Sequence, residues 1–266
     1  MPKVDIGDAE IYYEETGDGP PLMLVPGLGG GGAFWTPQVA EFAKFFRVII
    51  HDHRGAGQST HSLIEYSVDQ MAADALALMD ALGIDSAHYV GHSTGGAMGQ
   101  TIAQDHPERL QSLVLSATWA GQDAYFRRCF ETRKQILVEL GLESYSRAST
   151  LVLMPPWWIA ENDSLIAEQS QRLAVNNPPL EVMISRIDAI MKYDRRAGLA
   201  DIGAPTLVIC ARDDAVTPVH LSNELAETIP GAEQIVLDRG GHFAPIILSG
   251  DYNPPVLDFL RRRAGV

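Results

Sequence analysis

The sequence is poor in features that would mark several large classes of protein. It holds two cysteines in 266 residues, Cys129 and Cys210, which are too few for a disulfide framework and favour a reducing compartment. Lysine and arginine total 20 against 34 aspartates and glutamates, for a formal net charge of −14. A protein that binds a phosphate backbone needs a basic face, so nucleic acid is not an expected partner. The terminal arginines 261–263 are interpreted as a solvated last helical turn.

Long apolar runs are missing as well. No run approaches the roughly 18 residues that a membrane helix needs. The N-terminus MPKVDIGDAE has no apolar segment of the kind found in signal peptides. We therefore expect a soluble cytoplasmic protein with no membrane partner.

What the sequence does contain is an alternation of strand and helix patterns from about residue 21 to 117. Apolar runs such as PPLMLVPG, FRVIIHDHRG, AHYVGHS and QSLVLSA alternate with the helical pattern SVDQMAADALALMDALGI and the small-residue run TGGAMGQTIAQ. This alternation predicts an α/β fold, with a mostly parallel sheet and helices on both faces. The opening AEIYYEETGDG predicts an antiparallel edge hairpin, with PPLMLVPG as its second strand.

The alternation stops near Trp119. Residues 119–200 have helical periodicity, plainest in FRRCFETRKQILVELG and LEVMISRIDAIMKYD, and an apolar aromatic loop, LVLMPPWWIAEN, is expected between these helices. Strand patterns return with APTLVICARDD and EQIVLD. We predict a core domain formed by residues 1–118 and 201–266, and a helical cap formed by residues 119–200.

The pentapeptide GHSTG at residues 91–95 lies between an apolar run and a small-residue helix. This context is typical of a nucleophile elbow, in which a strained serine is exposed at a helix N-terminus and its neighbours must lack side chains. It identifies Ser93 as the candidate nucleophile. The alternative is a tight turn that only joins a strand to a helix.

A serine nucleophile needs a base, and the base needs an acid that orients it. Asp214 follows the strand run LVICA, and His242 lies in the loop after the last strand run. The chain order Ser93, Asp214, His242 fits a serine triad. Asp213 and Asp123 are the alternative acids.

A tetrahedral oxyanion needs two hydrogen-bond donors. We predict that they are the backbone N–H groups of Thr94, after the nucleophile, and of Leu28, in the glycine-rich loop LVPGLGGGG. That loop has no Gly-Lys-Ser/Thr ending and fits no dinucleotide fingerprint, so no nucleotide cofactor is expected.

Five aromatic residues are candidates for contact with a substrate. They are Phe34, Trp35, Trp157, Trp158 and Phe243. Packing within the protein is the alternative role for the first four.

The histidines outside the triad also need an interpretation. His51 and His53 flank a strand end and are candidates to line the site, whereas His92 is interpreted as a packing residue. No metal is expected, because strand alternation points His51 and His53 away from Asp52. The segment DHRGAGQS is interpreted as structural scaffolding.

The strings VPGLGG, DHRGAGQS, GHSTGG, RDDAVTP and GGH, in this order, resemble the α/β-hydrolase superfamily over essentially the full chain. The resemblance implies an eight-stranded sheet with a helical cap inserted after strand 6. The segment 119–200 is similar to the caps of the aminoacrylate (carbamate-type) hydrolases of bacterial uracil degradation and of the 3-oxoadipate enol-lactonases of aromatic catabolism.

The sequence is therefore interpreted as a cofactor-independent serine hydrolase. A small carboxylic ester or lactone is the expected substrate. A carbamate-type C–N bond, a C–C bond, and a slow-turnover ligand receptor on the same fold remain alternatives. A small molecule is the expected partner, and a homodimer is left open.

Overall fold

One eight-stranded sheet runs through the molecule. The computed structural model describes residues 2–167 and 178–266. The strands are β1 (Lys3–Asp5), β2 (Glu10–Thr16), β3 (Pro21–Val25), β4 (Arg47–His51), β5 (Ala87–His92), β6 (Leu110–Ser116), β7 (Thr206–Ala211) and β8 (Glu233–Leu237). Their order in the sheet is β1-β2-β4-β3-β5-β6-β7-β8. All neighbours are parallel except β1 with β2 and β2 with β4, so the predicted mostly parallel sheet is confirmed.

The predicted hairpin between the second and third strands is wrong. β2 pairs antiparallel with β4, with Tyr13 opposite His51, while β3 lies parallel between β4 and β5. The reason is burial: residues 22–25 of β3 are all buried, whereas half or more of β2 is exposed. A strand that is apolar on both faces is stable only inside a sheet covered by helices on both sides. The Gly-Asp-Gly-Pro turn therefore connects two strands, β2 and β3, that are separated in the sheet by β4.

Helices cover both faces of the sheet. They are α1 (Thr36–Phe42), α2 (Val68–Ala81), α3 (Thr94–Asp105), α4 (Ala124–Leu153), α5 (Pro156–Glu161), α6 (Leu180–Lys192), α7 (Val219–Thr228), α8 (Ala244–Ile247) and α9 (Ser249–Ala264), with 3-10 turns at Gly32–Trp35, Pro107–Arg109 and Arg196–Asp201. Because side chains alternate along a strand, Met23 and Val25 pack against the α2 and α3 side, and Leu22 and Leu24 against the α1 and α9 side.

The helical segment predicted between strands 6 and 7 contains α4, α5 and α6. Its two ends meet, because Gly121 and Asp194 form an antiparallel bridge and Arg195 N donates to Ala120 O at 2.7 Å. Helix α4 is broken at Gly141, which has φ 78° and ψ 179°. Part of the predicted cap, residues 168–177, lies outside the described residues. We call the segment between β6 and β7 the cap.

The loop predicted at LVLMPPWWIAEN is wrong. Helix α4 continues to Leu153, and α5 begins two residues after Met154. Pro155 is extended (φ −71°, ψ 147°) and precedes Pro156 at the first position of α5. Proline disrupts a helix that precedes it, because its ring clashes with the previous turn and it has no N–H to donate. It is well suited to the first turn of a helix, where a backbone N–H would have no acceptor within the helix. The two prolines therefore separate two helices instead of specifying a loop.

Candidate active site

Ser93 lies in a strained turn between β5 and α3. Its φ of 54° and ψ of −117° are unusual for a residue with a side chain, a conformation that costs about 1–3 kcal/mol. The flanking glycines permit it, because a Cβ at Gly91 would collide with the carbonyl of Gly95, and one at Gly95 with the carbonyl of Val25. Ser93 N donates to Ser116 O at 2.8 Å, and Thr118 Oγ1 donates to Ser93 O at 2.7 Å. These contacts hold the turn in the geometry expected of a nucleophile elbow.

His242 and Asp214 form a buried pair. Nδ1 of His242 is 2.8 Å from Oδ2 of Asp214, and the two side chains are 3% and 0% exposed. The carboxylate also accepts from the backbone N–H groups of Val216 (2.7 Å) and Thr217 (3.0 Å), and from Thr217 Oγ1 (2.9 Å). A carboxylate held by this many donors fixes the orientation of the imidazole, and with Nδ1 engaged it leaves Nε2 free for proton transfer.

The two alternative acids are engaged elsewhere. Asp213 Oδ1 accepts from Gly241 N at 2.8 Å, so it fixes the loop that carries His242 without contacting the ring. Asp123 caps α4 through Phe126 N (2.7 Å) and pairs with His220 Nε2 (2.7 Å). The geometry favours Asp214 as the acid.

The predicted oxyanion donors belong to two segments that adjoin the nucleophile. Thr94 is the first residue of α3, where a backbone N–H has no acceptor within the helix. The turn after β3 is closed by Gly30 N donating to Gly27 O at 2.9 Å. It runs close to the nucleophile, since a Cβ at Gly27 would lie 3.1 Å from Ser93 Cβ. Leu28, half-buried in this turn, stays the predicted second donor.

A buried arginine of the cap holds this turn. Arg186, on α6 and 2% exposed, donates to Leu28 O at 2.9 Å, to Arg54 O at 2.6 Å and to His53 Nδ1 at 3.2 Å. Burial lowers the pKa of its guanidinium to about 10. Sequence reasoning missed this residue, because a single arginine in an amphipathic helix gives no signal of its role.

The scaffolding role predicted for DHRGAGQS is visible in Asp52. Its two carboxylate oxygens accept from Gly32 N and from Gln58 N, both at 2.8 Å. Burial raises the pKa of this carboxyl. Asp52 thus ties the glycine-rich loop to the loop that follows β4.

His51 and His53 lie behind the glycine-rich loop, next to each other and fully buried. Their rings are 5.3 Å apart, and both line a small cavity with Arg54 and Asp74. Burial lowers the pKa of His51 to about 4; burial, then Arg186 and His51, lowers that of His53 well below its usual value. Both are therefore neutral at pH 7, and neither contacts His242.

His92 packs beside the triad. Its ring stacks on Phe34 at 4.6 Å and lies 4.7 Å from the ring of His242. Burial, and secondarily His242, lowers its pKa well below the usual value. A neutral His92 fits the packing role predicted for it.

The five aromatic residues predicted to contact a substrate lie in three different parts of the structure. Phe34 and Phe243 are half-buried, 5.6 Å apart, and adjoin His92 and His242. Trp35 is fully buried in the core between α1 and α9, near Tyr252, which favours packing as its role. Trp157 and Trp158 lie on α5, half-buried; the ring of Trp157 stacks with the guanidinium of Arg239 at 4.7 Å.

The cap contacts the loops that carry the acid and the base. Tyr125 OH donates to Ala215 O at 2.6 Å, beside Asp214. Phe243 N, beside His242, donates to Leu153 O at 3.2 Å. With Arg186 at the glycine-rich turn, the cap reaches three of the loops around Ser93.

Two further properties concern ligands and membranes. Across residues 2–167 and 178–266, no three His, Cys, Asp or Glu side chains are grouped so that they could hold a metal ion. No helix within the same residues is both long and apolar enough to span a bilayer.

Comparison with known proteins agrees with the fold described above. A family model described as the alpha/beta hydrolase fold matches residues 20–247. A protein of Azorhizobium caulinodans, provisionally named carbamate hydrolase RutD, is 41% identical over 259 residues, which cover 97% of this chain and 98% of that protein. Another of the same provisional name, from Caulobacter vibrioides, is 38% identical over 267 residues, covering 98% and 99%. The solved structure of the enol-lactonase from Burkholderia xenovorans LB400 superposes with a TM-score of 0.90 at 28% identity, covering 97% of this chain and 99% of that chain.

Proposed function

Because the chain belongs to the alpha/beta hydrolase family and is a hydrolase, we propose that it cleaves a small acyl compound through a covalent intermediate on Ser93. The observation that carries the proposal is the buried His242–Asp214 pair, 2.8 Å apart, whose imidazole lies 4.7 Å from the ring of His92, the residue that precedes the strained Ser93. A catalytic role for this trio explains why the fold maintains the strain, which packing alone does not require.

In this mechanism Ser93 Oγ attacks the carbonyl carbon while His242 Nε2 accepts its proton. The negative charge that develops on the carbonyl oxygen is stabilised by the backbone N–H groups of Leu28 and Thr94. Collapse of the tetrahedral intermediate expels the leaving group, which takes the proton from His242. Water then attacks the acyl carbon while His242 Nε2 accepts its proton, and the bond to Ser93 Oγ breaks as His242 returns that proton to the serine, which releases the acid. Asp214 orients the ring and stabilises its charged form throughout.

A carbamate is the first candidate for the scissile group, in which the acyl carbon is bonded to nitrogen. It is supported by relatives provisionally named carbamate hydrolases that match over nearly the whole chain at 36–41% identity. An ester or lactone is the second candidate, supported by the enol-lactonase structure. The same residues perform the same steps on both, since only the leaving atom differs.

The test is a Ser93→Ala variant combined with covalent labelling. A fluorophosphonate should add its mass to Ser93, and Ser93→Ala should lose both the label and at least about 10³-fold in turnover of the best member of a carbamate, ester and lactone panel. Ser86→Ala, at the opposite end of β5, is the matched control and should retain both. A label on another serine, with Ser93→Ala still active, would refute the proposal.

A further inference from the structure

Thr217 has its hydroxyl at the contact between the acid and the base of the triad. The residue is fully buried, and its Oγ1 lies 2.9 Å from Asp214 Oδ2 and 3.3 Å from His242 Nδ1. Nδ1 of His242 is itself 2.8 Å from the same Oδ2. The three atoms therefore form a triangle, in which one carboxylate oxygen accepts hydrogen bonds from both the imidazole and the hydroxyl.

The turn after β7 brings this hydroxyl to the carboxylate. Asp214 Oδ1 accepts from the backbone N–H groups of Val216 and Thr217, and such a bond from an aspartate side chain to the backbone two residues on forms an Asx turn. Pro218, which precedes α7, disfavours a helical backbone at the residue before it. As a result each oxygen of Asp214 has two donors at 3.0 Å or less, and Thr217 supplies one to each oxygen.

The hydroxyl differs from the other donors because it acts on the oxygen that faces the base. Two backbone N–H groups and the imidazole would still hold Asp214 without it. A hydrogen bond to the charged form of an acid stabilises that form. A carboxylate stabilised in this way attracts a proton onto the neighbouring imidazole less strongly, because the hydroxyl already compensates part of its charge. His242 must be unprotonated to accept the proton of Ser93.

Buried titratable groups from three other elements face this pair and are neutral near pH 7. Burial raises the pKa of Tyr125 and of Cys129, both on α4, and of Cys210 on β7, and all three interact electrostatically with Asp214. Burial also lowers the pKa of His92, at the end of β5, well below its usual value. None of these four changes its charge in the pH range in which a histidine base usually titrates.

The groups on the loop of the acid itself are charged or exposed. Arg212 and Asp213 precede Asp214, and Asp213 accepts from Gly241 N in the loop of the base. His220, at the start of α7, pairs with Asp123 at 2.7 Å and is exposed. His220 is therefore the neighbouring group whose titration an experiment has to separate from that of the pair.

We propose that Thr217 is a positioning residue whose hydroxyl, by donating to Asp214 Oδ2, keeps His242 available as a base at lower pH than the other donors to Asp214 would allow. The inference rests on the proposed function, in which His242 activates Ser93. The hydroxyl keeps its own proton throughout the reaction and touches neither the substrate nor Ser93.

The test measures the rate constant with which a fluorophosphonate labels Ser93, as a function of pH from about 5 to 9. This rate depends on unprotonated His242 and requires no knowledge of the natural substrate. Thr217→Val removes the hydroxyl at nearly constant size, and the midpoint of the acid limb should rise by about 0.5 to 1 pH unit. The rate at high pH should fall less than about tenfold, because three donors still hold Asp214. Thr217→Ser, which keeps the hydroxyl, should have the midpoint of the parent protein.

Matched variants control for burial and for His220. Thr206→Val removes a buried hydroxyl at the opposite end of β7, where it donates to Ala204 O, and should not move the midpoint. His220→Gln should not move it either. Thr217→Cys has a thiol, which is a weaker donor, and should give an intermediate midpoint, so the test remains decisive even if Thr217→Val folds poorly.

An unchanged midpoint in folded Thr217→Val, or an equal loss of rate at every pH, would refute the inference and leave the hydroxyl a purely structural role. Loss of the acid limb in His220→Gln would assign that limb to His220 and refute it as well. Failure of the parent protein to label at Ser93 would instead refute the proposed function, so the two failures are distinguishable.

Discussion

Acid should destabilise this protein through histidines that cannot accept a proton in the folded state, and His51 should carry a measurable share. The residue ends β4 and is 3% exposed, and its Nδ1 has no hydrogen-bond partner among the described residues. Burial lowers its pKa from the ordinary value of 6.5 to about 4. The imidazolium is disfavoured because burial removes the charged ring from water.

The sign and size of the effect follow from this shift. Below pH 6.5 the unfolded chain binds a proton at His51 that the folded chain does not. The free energy of unfolding therefore decreases as the pH is lowered, until the pKa of the folded state is reached. With 1.36 kcal/mol for each pKa unit, the loss at this one residue is about 2 kcal/mol at pH 5 and about 3 kcal/mol at pH 4, relative to pH 7.5. His53 and His92, whose pKa values are also lowered, add to the loss in the same direction.

Urea unfolding at pH 7.5 and pH 5.0 measures this loss. His51→Leu, which also removes an unpaired nitrogen, should lose about 2 kcal/mol less stability between the two pH values than the parent protein does. His106→Gln, at an exposed position, should lose as much as the parent. If His51→Leu and the parent lost equal amounts, His51 would be protonated in the folded state and the assignment of its pKa would be wrong.

Two further predictions concern catalysis. Asp214→Asn should lower kcat by up to about 10⁴-fold, because the imidazole of His242 would be misoriented. Asp213→Asn affects the hydrogen bond to Gly241 N and should lower kcat only about tenfold. Steady-state kinetics measures both effects, and the opposite order would identify Asp213 as the acid. Arg186→Lys replaces the fork that holds Leu28 O by a point charge and should lower kcat about 10- to 100-fold with little change in KM, because the Leu28 donor acts on the transition state. Lys192→Arg, exposed on the same helix, should leave kcat unchanged, and a rise in KM alone for Arg186→Lys would contradict the positioning role.

Sequence patterns sufficed for the parts of the molecule that follow local rules. Strand runs, the glycines around Ser93 and the order of the motifs predicted the sheet and the loops, because parallel strands present their carboxyl ends at one edge. Pairing partners were less predictable. The sequence PLMLV of β3 does not indicate which strand pairs with it. The turn that precedes it favoured β2, whereas its neighbours are β4 and β5.

The cap was the least predictable part for a related reason. Its helices have clear periodicity, but the role of Arg186 depends on what surrounds it after folding. A buried arginine and a solvated one look alike in sequence. Likewise, Asp213 and Asp214 are adjacent and chemically identical, and only the direction of each carboxylate distinguishes the partner of His242 from the partner of Gly241 N.

Three of the contacts between cap and core, those with the loops around Ser93, limit how far the cap can be exchanged as a module. Tyr125 donates to the loop that carries Asp214, the carbonyl of Leu153 accepts from the loop that carries His242, and Arg186 donates to the turn after β3. A chimaera that receives the cap of another hydrolase would acquire a new pocket wall, but it would lose the outer support of all three loops unless equivalent groups came with it. Retargeting this enzyme by transplanting its cap therefore requires these three anchors to be carried over first, together with the other cap residues that bond to the core, such as Asp123 and Arg195.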